Sequence, residues 1–319
     1  MRILSAEQTA TALAFNRLVP TLREAFRQGA DVPLRHRHDI VQADGTTAAL
    51  LLMPAWRTDC RLGVKVVSVF PGNSARGLAS VSASYLLCDG QTGQHLALID
   101  GAEITRRRTA AASALAGSFL AREDAASLLI VGAGHVAGLM AEAYRVVRPI
   151  RQVRVWNIRP AGAHRLATKL AGEGFAAEPT SDLAAAVAEA DIVTCATLAR
   201  EPLIRGAWLQ PGTHLDLVGG FTPTMREADN TAVRRARVFI DTDAALTEAG
   251  DLVDPLANGV LRRTEIAGSL FSLCRAETAG RREAHEITLF KSVGSALEDL
   301  AAACLAYDYD IATTATRPC

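Results

Sequence analysis

The chain has 319 residues, of which 49% are hydrophobic and 21% charged, and its 34 Lys and Arg are matched by 34 Asp and Glu. That length is about twice the ~150 residues of one domain, and the apolar share suffices to bury a sizeable core, which excludes a disordered chain. A formal charge of zero excludes the net field that would hold a protein on nucleic acid or an acidic membrane, so the expected partners are small molecules or copies of the same chain.

At the N-terminus, MRILSAEQTATALAF lacks a basic start followed by an apolar stretch and a small-residue cleavage site. No apolar run approaches ~18 residues, and the expectation is a cytoplasmic protein without a membrane span. From Thr47 to Asp100 the strand-like stretches TAALLLMP, RLGVKVVSVF, SVSASYLLC and HLALID alternate with the turn chemistry of PGNSARG and DGQTG, which predicts a β-rich region. Thr105 then reads as the N-cap of a helix through RRRTAAASALAGSFLA. From Ser127 onward SLLIV, VRVWN, DIVTCAT, HLDLV and RVFID are separated by helical stretches, the pattern of an α/β fold with a doubly wound parallel sheet. Near the end, SVGSALEDLAAACLAY places Val293, Leu297, Leu300, Ala301, Cys304 and Leu305 on one helical face, whereas DYDIATTATRPC has no such pattern and predicts a loose tail. Cys60, Cys88, Cys195, Cys274, Cys304 and Cys319 are scattered without C-x-x-C or a close His, so they read as reduced thiols and no metal site is expected.

The sharpest local signal is LLIVGAGHVAG, which places Gly132, Gly134 and Ala137 in G-x-G-x-x-A between an apolar strand and a helix. The first glycine permits the tight turn, the second lets the backbone approach a pyrophosphate, and the small third residue lets helix and strand pack closely. The helix N-terminus, at His135 and Val136, offers N–H groups and partial positive charge to phosphates. A tight turn without ligand is the plainer account of the glycines alone; the flanking strand, helix and further β/α units favour a dinucleotide. An NAD-specific unit carries an Asp or Glu about twenty residues on. Here the second strand ends in VWNIRPAGAHR, and Asn157 and Arg159 stand where that carboxylate belongs. No anion would repel a 2′-phosphate and a guanidinium could bind it, so NADP(H) is favoured and NAD(H) is the alternative.

Lys65 shares a strand face with Val67 and Val69, because side chains repeat every two residues. Taken alone, an edge-strand lysine reaching to water is the simpler account. Arg35 in DVPLRHRHDI and Arg108 in ITRRRTAAA are likewise unremarkable singly. Together, three cations could hold a substrate carboxylate, the guanidinium by bidentate contact and the ammonium by charge or a proton.

The stretches LRHRHDI, LLMPAW, LGVKVVSVFPGN, DGQTG, ITRRRTAAASALA, VGAGHVA, HLDLVGGFTPTMRE and ITLFKSVGSALEDLAAA, in that order, resemble the ornithine cyclodeaminase/mu-crystallin family over most of the chain. The resemblance implies a homodimer with a Rossmann domain, residues 121–289, inserted into an α+β substrate-binding and dimerisation domain, residues 1–120 with 290–319. It also implies that Arg35, Lys65 and Arg108 bind an amino-acid-like or imino-acid substrate. Thr109, Thr197 and the KSVG segment, Lys291, Ser292, Val293 and Gly294, would line the cofactor pocket.

One departure bears on the reaction. In the cyclodeaminases and related alanine dehydrogenases the segment reads like G-G/A-D-x-P-G-K-x-E, with the Asp as acid/base, and this chain has Phe221 there in GGFTPTMRE. A phenyl ring can neither transfer a proton nor hold the distal ammonium of ornithine. Ketimine-reductase members also lack that Asp, and their cyclic imine needs only a hydride and a proton. The sequence therefore predicts an NADPH-dependent reductase of cyclic ketimine carboxylates, with Lys65 as the candidate catalytic residue, either proton donor or hydrogen-bond partner of the imine. The alternatives are an ornithine cyclodeaminase using NAD and a non-catalytic NADP(H)-dependent binder of small molecules.

Overall fold

A computed structural model describes residues 1–315 and divides the chain into two compact units, Met1–Arg108 with Ser295–Cys319, and Thr109–Gly294. The chain begins with β1 (Arg2–Leu4), α1 (Ala6–Ala12) and α2 (Phe15–Gln28), followed by β2 (His36–Val41), β3 (Thr47–Arg57), β4 (Arg61–Val69), β5 (Val81–Asp89) and β6 (His95–Asp100). These strands form one sheet in the order β1-β6-β5-β4-β3-β2, antiparallel except for the β1–β6 pair. Period-two alternation decides its faces. Met53, Lys65 and Tyr85 lie opposite one another on three adjacent strands and are buried, while Leu52, Pro54, Val64, Leu86 and Leu98 on the reverse face are half-buried and Val66 is 37% exposed.

Helix α3 (Gly101–Leu120) starts five residues before the expected position. Asp100, not Thr105, caps it: the Asp100 carboxylate accepts from the Glu103 N–H at 2.7 Å, and Thr105 lies a turn inside, its hydroxyl donating to the Gly101 carbonyl. Asp competes with Thr for capping and here occurs directly at the end of β6.

The second unit continues through β7 (Ser127–Val131), α4 (Ala137–Arg145), β8 (Gln152–Trp156), α5 (Pro160–Gly172), β9 (Ala176–Pro179), α6 (Leu183–Glu189), β10 (Ile192–Cys195) and β11 (His214–Leu217). It closes with α7 (Asn230–Arg235), β12 (Arg237–Ile240), α8 (Ala245–Glu248), α9 (Gly250–Ala257), β13 (Ile266–Ser269), α10 (Leu270–Cys274) and β14 (Thr288–Lys291). Its sheet is parallel throughout, in the order β13-β12-β14-β11-β10-β7-β8-β9. The chain winds outward from β7 to β9 and then crosses back to β10 on the other side of β7, so the topological switch point lies between β7 and β10. Strands β7, β10, β11 and β14 are buried almost along their whole length, as a sheet covered on both faces requires.

The chain ends in α11 (Ala296–Ala315), which belongs to the first unit and packs on α2 and on β3, β4 and β5. Its buried face differs from the expected one. Leu297 and Leu300 are buried, but Ala301, Cys304 and Leu305 are half-buried and line a cavity of about 560 Å³ with residues of α2; the deeply buried positions are Glu298, Asp299, Ala302, Ala303 and Ala306. The helix is turned by its two carboxylates, which meet buried cations described below. The expected loose tail is also corrected through Ala315, because polar contacts replace the missing apolar stripe: Arg2 pairs with Asp310, and the Arg17 guanidinium lies 4.5 Å from the Tyr309 ring centroid. Thr316 to Cys319 lie outside the described residues. Among those described, Cys60, Cys88, Cys195, Cys274 and Cys304 are free thiols, no His, Cys, Asp and Glu grouping could hold a metal ion, and no helix is long and apolar enough to cross a membrane.

Candidate active site

Lys65 sits in the middle of β4, hydrogen-bonded between β3 and β5, so the edge-strand account does not apply. Its side chain is 3% exposed, and its ammonium lies 2.6 Å from Oδ2 of Asp299 and 3.2 Å from the Thr105 hydroxyl. Arg108, also buried, donates from Nε to Oδ1 of Asp299 at 3.0 Å and from Nη1 to Oε2 of Glu298 at 2.9 Å. One carboxylate thus bridges both cations and a second neutralises the remaining charge, the condition under which buried ions are tolerated. Burial pushes the Lys65 pKa down to about 8; Asp299 opposes this and the Arg108 charge adds to it. For Asp299, burial works against the charged form, but Lys65 and Arg108 outweigh it and its pKa is lowered.

Arg35 lies half-buried directly before β2. Continuing the β2–β3 register by one residue beyond His36 and Leu52 puts Arg35 in the cross-sheet row of Met53 and Lys65, roughly 10 Å from Lys65 at two strand spacings. Glu298 and Asp299 are the residues that the sequence reading did not single out, although two adjacent carboxylates inside the apolar run SALEDLAAACLA were a signal for buried partners.

In the second unit, Gly132 follows β7 with φ +114°, and a Cβ there would fall 2.6 Å from the Ala196 carbonyl oxygen, so both conformation and space demand glycine. Gly134 is exposed, and a Cβ on it would meet nothing within 4 Å, which leaves the open approach that a pyrophosphate needs. His135 and Val136 lead into α4, and Ala137 is fully buried against the sheet. At the end of β8 the Asn157 amide donates to the Arg159 carbonyl at 2.9 Å, while the Arg159 side chain is exposed. A dinucleotide fits this turn in backbone shape and in its lack of an obstructing side chain.

The neighbouring loops are tied together by buried charge. Oε1 of Glu227 accepts from the N–H and the hydroxyl of Thr197, each at 2.8 Å, and Oε2 accepts from the N–H groups of Gly219 at 2.8 Å and Gly220 at 3.2 Å. Asp251 accepts from the N–H groups of Glu227 and Ala228, and its other oxygen lies 3.2 Å from the Lys291 ammonium. Lys291, expected to line the cofactor pocket, is fully buried at the end of β14 with its ammonium beside Asp251. Ser292 is buried, and the N–H groups of Val293 and Gly294 both donate to Oδ2 of Asp241 at 2.7 Å. Thr109, next to Arg108 in α3, is half-buried. Phe221 is 48% exposed on the loop after β11.

The model of the ornithine cyclodeaminase/mu-crystallin family matches residues 1–313. A Delta(1)-pyrroline-2-carboxylate reductase of Paracoccus denitrificans is 42% identical over 279 residues, covering 87% of this chain and 88% of that protein. The structure of Thermococcus litoralis Delta(1)-pyrroline-2-carboxylate reductase in complex with NADH and L-proline superimposes with a TM-score of 0.91 at 36% identity, covering 98% of each chain. An archaeal alanine dehydrogenase dimer with bound NAD gives a TM-score of 0.89 at 26% identity, covering 98% of this chain and 97% of that one. With a family model spanning nearly the whole chain and a Rossmann unit carrying the expected glycine turn, the protein belongs to the ornithine cyclodeaminase/mu-crystallin family.

Proposed function

We propose that the protein is an NADPH-dependent reductase of cyclic ketimine carboxylates, forming proline from Δ1-pyrroline-2-carboxylate or pipecolate from Δ1-piperideine-2-carboxylate. The observation that carries this reading is the pair of buried cations, Lys65 and Arg108, held by the single carboxylate of Asp299. Arg108 spends Nε and Nη1 on its acidic partners, and its remaining terminal nitrogen is the one we assign to the substrate carboxylate, with Arg35 as a further cation in the same row. Lys65 hydrogen-bonds the imine nitrogen and gives it a proton, a role suited to an ammonium whose pKa is depressed towards neutrality. When bound, the dinucleotide supplies the hydride. The two reductase relatives, one of them in complex with NADH and L-proline, support the same substrate class.

Preference for NADPH over NADH rests on Asn157 and Arg159 at the end of β8, where no carboxylate stands against a 2′-phosphate. Phe221 weighs against cyclodeamination, which needs an acid or base at several proton transfers. A homodimer is supported by the contiguous, partly exposed apolar residues Leu52, Pro54, Val64, Val66, Leu86 and Leu98 on the reverse face of the first sheet, which a second copy would cover. The test is to follow NADPH absorbance with each cyclic imine alongside ammonia release from ornithine with NAD. Imine-dependent NADPH oxidation is the expected result; ammonia and proline formation from ornithine at a higher rate would restore the lyase reading.

A further inference from the structure

We infer that Glu227, Asp251 and Lys291 form a buried positioning device that sets the loops after β10 and β11 and thereby shapes the nicotinamide half of the dinucleotide crevice; this rests on the dinucleotide reading of the second unit. The adenosine half is accounted for by the Gly132 turn after β7 and by Asn157 after β8. Across the switch point, the remaining crevice wall is made by the carboxyl ends of β10 and β11, adjacent strands of the same sheet. The two ends are joined directly by the N–H groups of Val218 and Gly219 on the Cys195 carbonyl, and the Thr197 hydroxyl accepts from the Ala199 N–H within its own loop. Beyond them, the one carboxylate of Glu227 gathers four donors, two from Thr197 after β10 and one each from Gly219 and Gly220 after β11.

The surrounding space is closed around this arrangement. A Cβ at Gly219 would lie 2.0 Å from the Thr197 carbonyl oxygen, and a Cβ at Gly220 would lie 2.6 Å from Oδ2 of Asp251. The two glycines are therefore the fit of the loop to its acidic clamp. Asp251 in turn fixes the Glu227 backbone through two N–H groups and is neutralised by Lys291 at the end of β14, the strand beside β11. The loop so held continues into Phe221, and its far side is tied by the Gly250 N–H to the Thr222 carbonyl at 3.0 Å. All four donors around Glu227 demand an acceptor. A neutral amide of the same size would turn a donor towards two N–H or O–H groups on one side of the clamp.

The experiment compares Glu227→Gln with the unmodified protein by titrating NADPH, NADH and ADP, with a melting curve for each protein. ADP reports the adenosine half alone. The expected result is that both dinucleotides bind at least about tenfold more weakly while ADP stays within about twofold, since charge-assisted bonds that hold only one half are lost. A fall in all three affinities together, or unchanged dinucleotide binding, would overturn the inference. Asp251→Asn, which keeps Glu227 but loosens its backbone support, should show the same split and serves if Glu227→Gln does not fold. Failure of the unmodified protein to bind any of the three would overturn the dinucleotide reading itself, and this inference with it.

Discussion

Lys65 Nζ lies 2.6 Å from Oδ2 of Asp299, and the other oxygen of the same carboxylate lies 3.0 Å from Nε of Arg108. Asp299 therefore fixes both the spacing of the two cations and the charge that each sees.

The first consequence is a pH profile. Burial brings the Lys65 pKa from 10.5 down to about 8, with Asp299 and Glu298 raising it and Arg108 lowering it further. If the ammonium donates the proton, kcat/KM for the imine should fall as pH rises through about 8. Asp299→Asn removes the largest opposing charge, so the fall should move to lower pH. For stability the sign is reversed: the folded state loses this proton near pH 8 while the unfolded chain keeps it to 10.5, so this group alone favours folding increasingly over that interval. A profile recorded on both proteins checks the direction, and a limb that moves upward in the variant contradicts it.

Arg108→Lys tests the carboxylate assignment. A lysine keeps the charge but cannot hold Asp299, Glu298 and a substrate at once with planar geometry. The expected loss in kcat/KM is at least about tenfold, the equivalent of one hydrogen bond to a charged group worth ~1.5–3 kcal/mol. Unchanged steady-state kinetics would place the substrate anion elsewhere.

The proposed NADPH preference rests on an exposed side chain, Arg159, so its test carries little folding risk. NADPH should bind the unmodified protein more tightly than NADH, and Arg159→Ala should narrow the gap, chiefly by weakening NADPH. Fluorescence titration of both nucleotides measures it. Tighter NADH binding by the unmodified protein would refute the reading of the β8 terminus.

Val66 is the most exposed apolar residue in the centre of the open sheet face. Val66→Asp should convert a homodimer to monomers, because an unpaired carboxylate buried in an apolar interface costs several kcal/mol. Sedimentation velocity distinguishes the outcomes; a dimer that persists would mean that another surface joins the copies.

The parts of the fold that were legible in the sequence carry strong periodic patterns. Strands β3 to β6 alternate, and β7, β8, β10, β11 and β12 are short apolar runs between helices, as their burial explains. Strand β9, Ala-Ala-Glu-Pro, has no apolar run, and all six residues of β2 are exposed, so neither presents a pattern to read. The glycine turn was visible because its constraint is local. The partners of Arg108 were not, since they lie 190 and 191 positions away, and carboxylates on a helix read as a solvated face until a tertiary cation meets them.

The return of α11 to the first unit also orders events during synthesis. Residues up to Arg108 leave the ribosome with Lys65 committed to the inner face of a sheet and Arg108 to the helix that follows it, yet Glu298 and Asp299 follow some 190 residues after Arg108. Until then the first unit would bury two cations without these counter-charges, which is strongly unfavourable. The unit from Thr109 to Gly294 has no such debt and can settle while the N-terminal strands wait. The last helix is thus the latch of the first domain, and a chain released before it should hold a folded middle and an unsettled beginning.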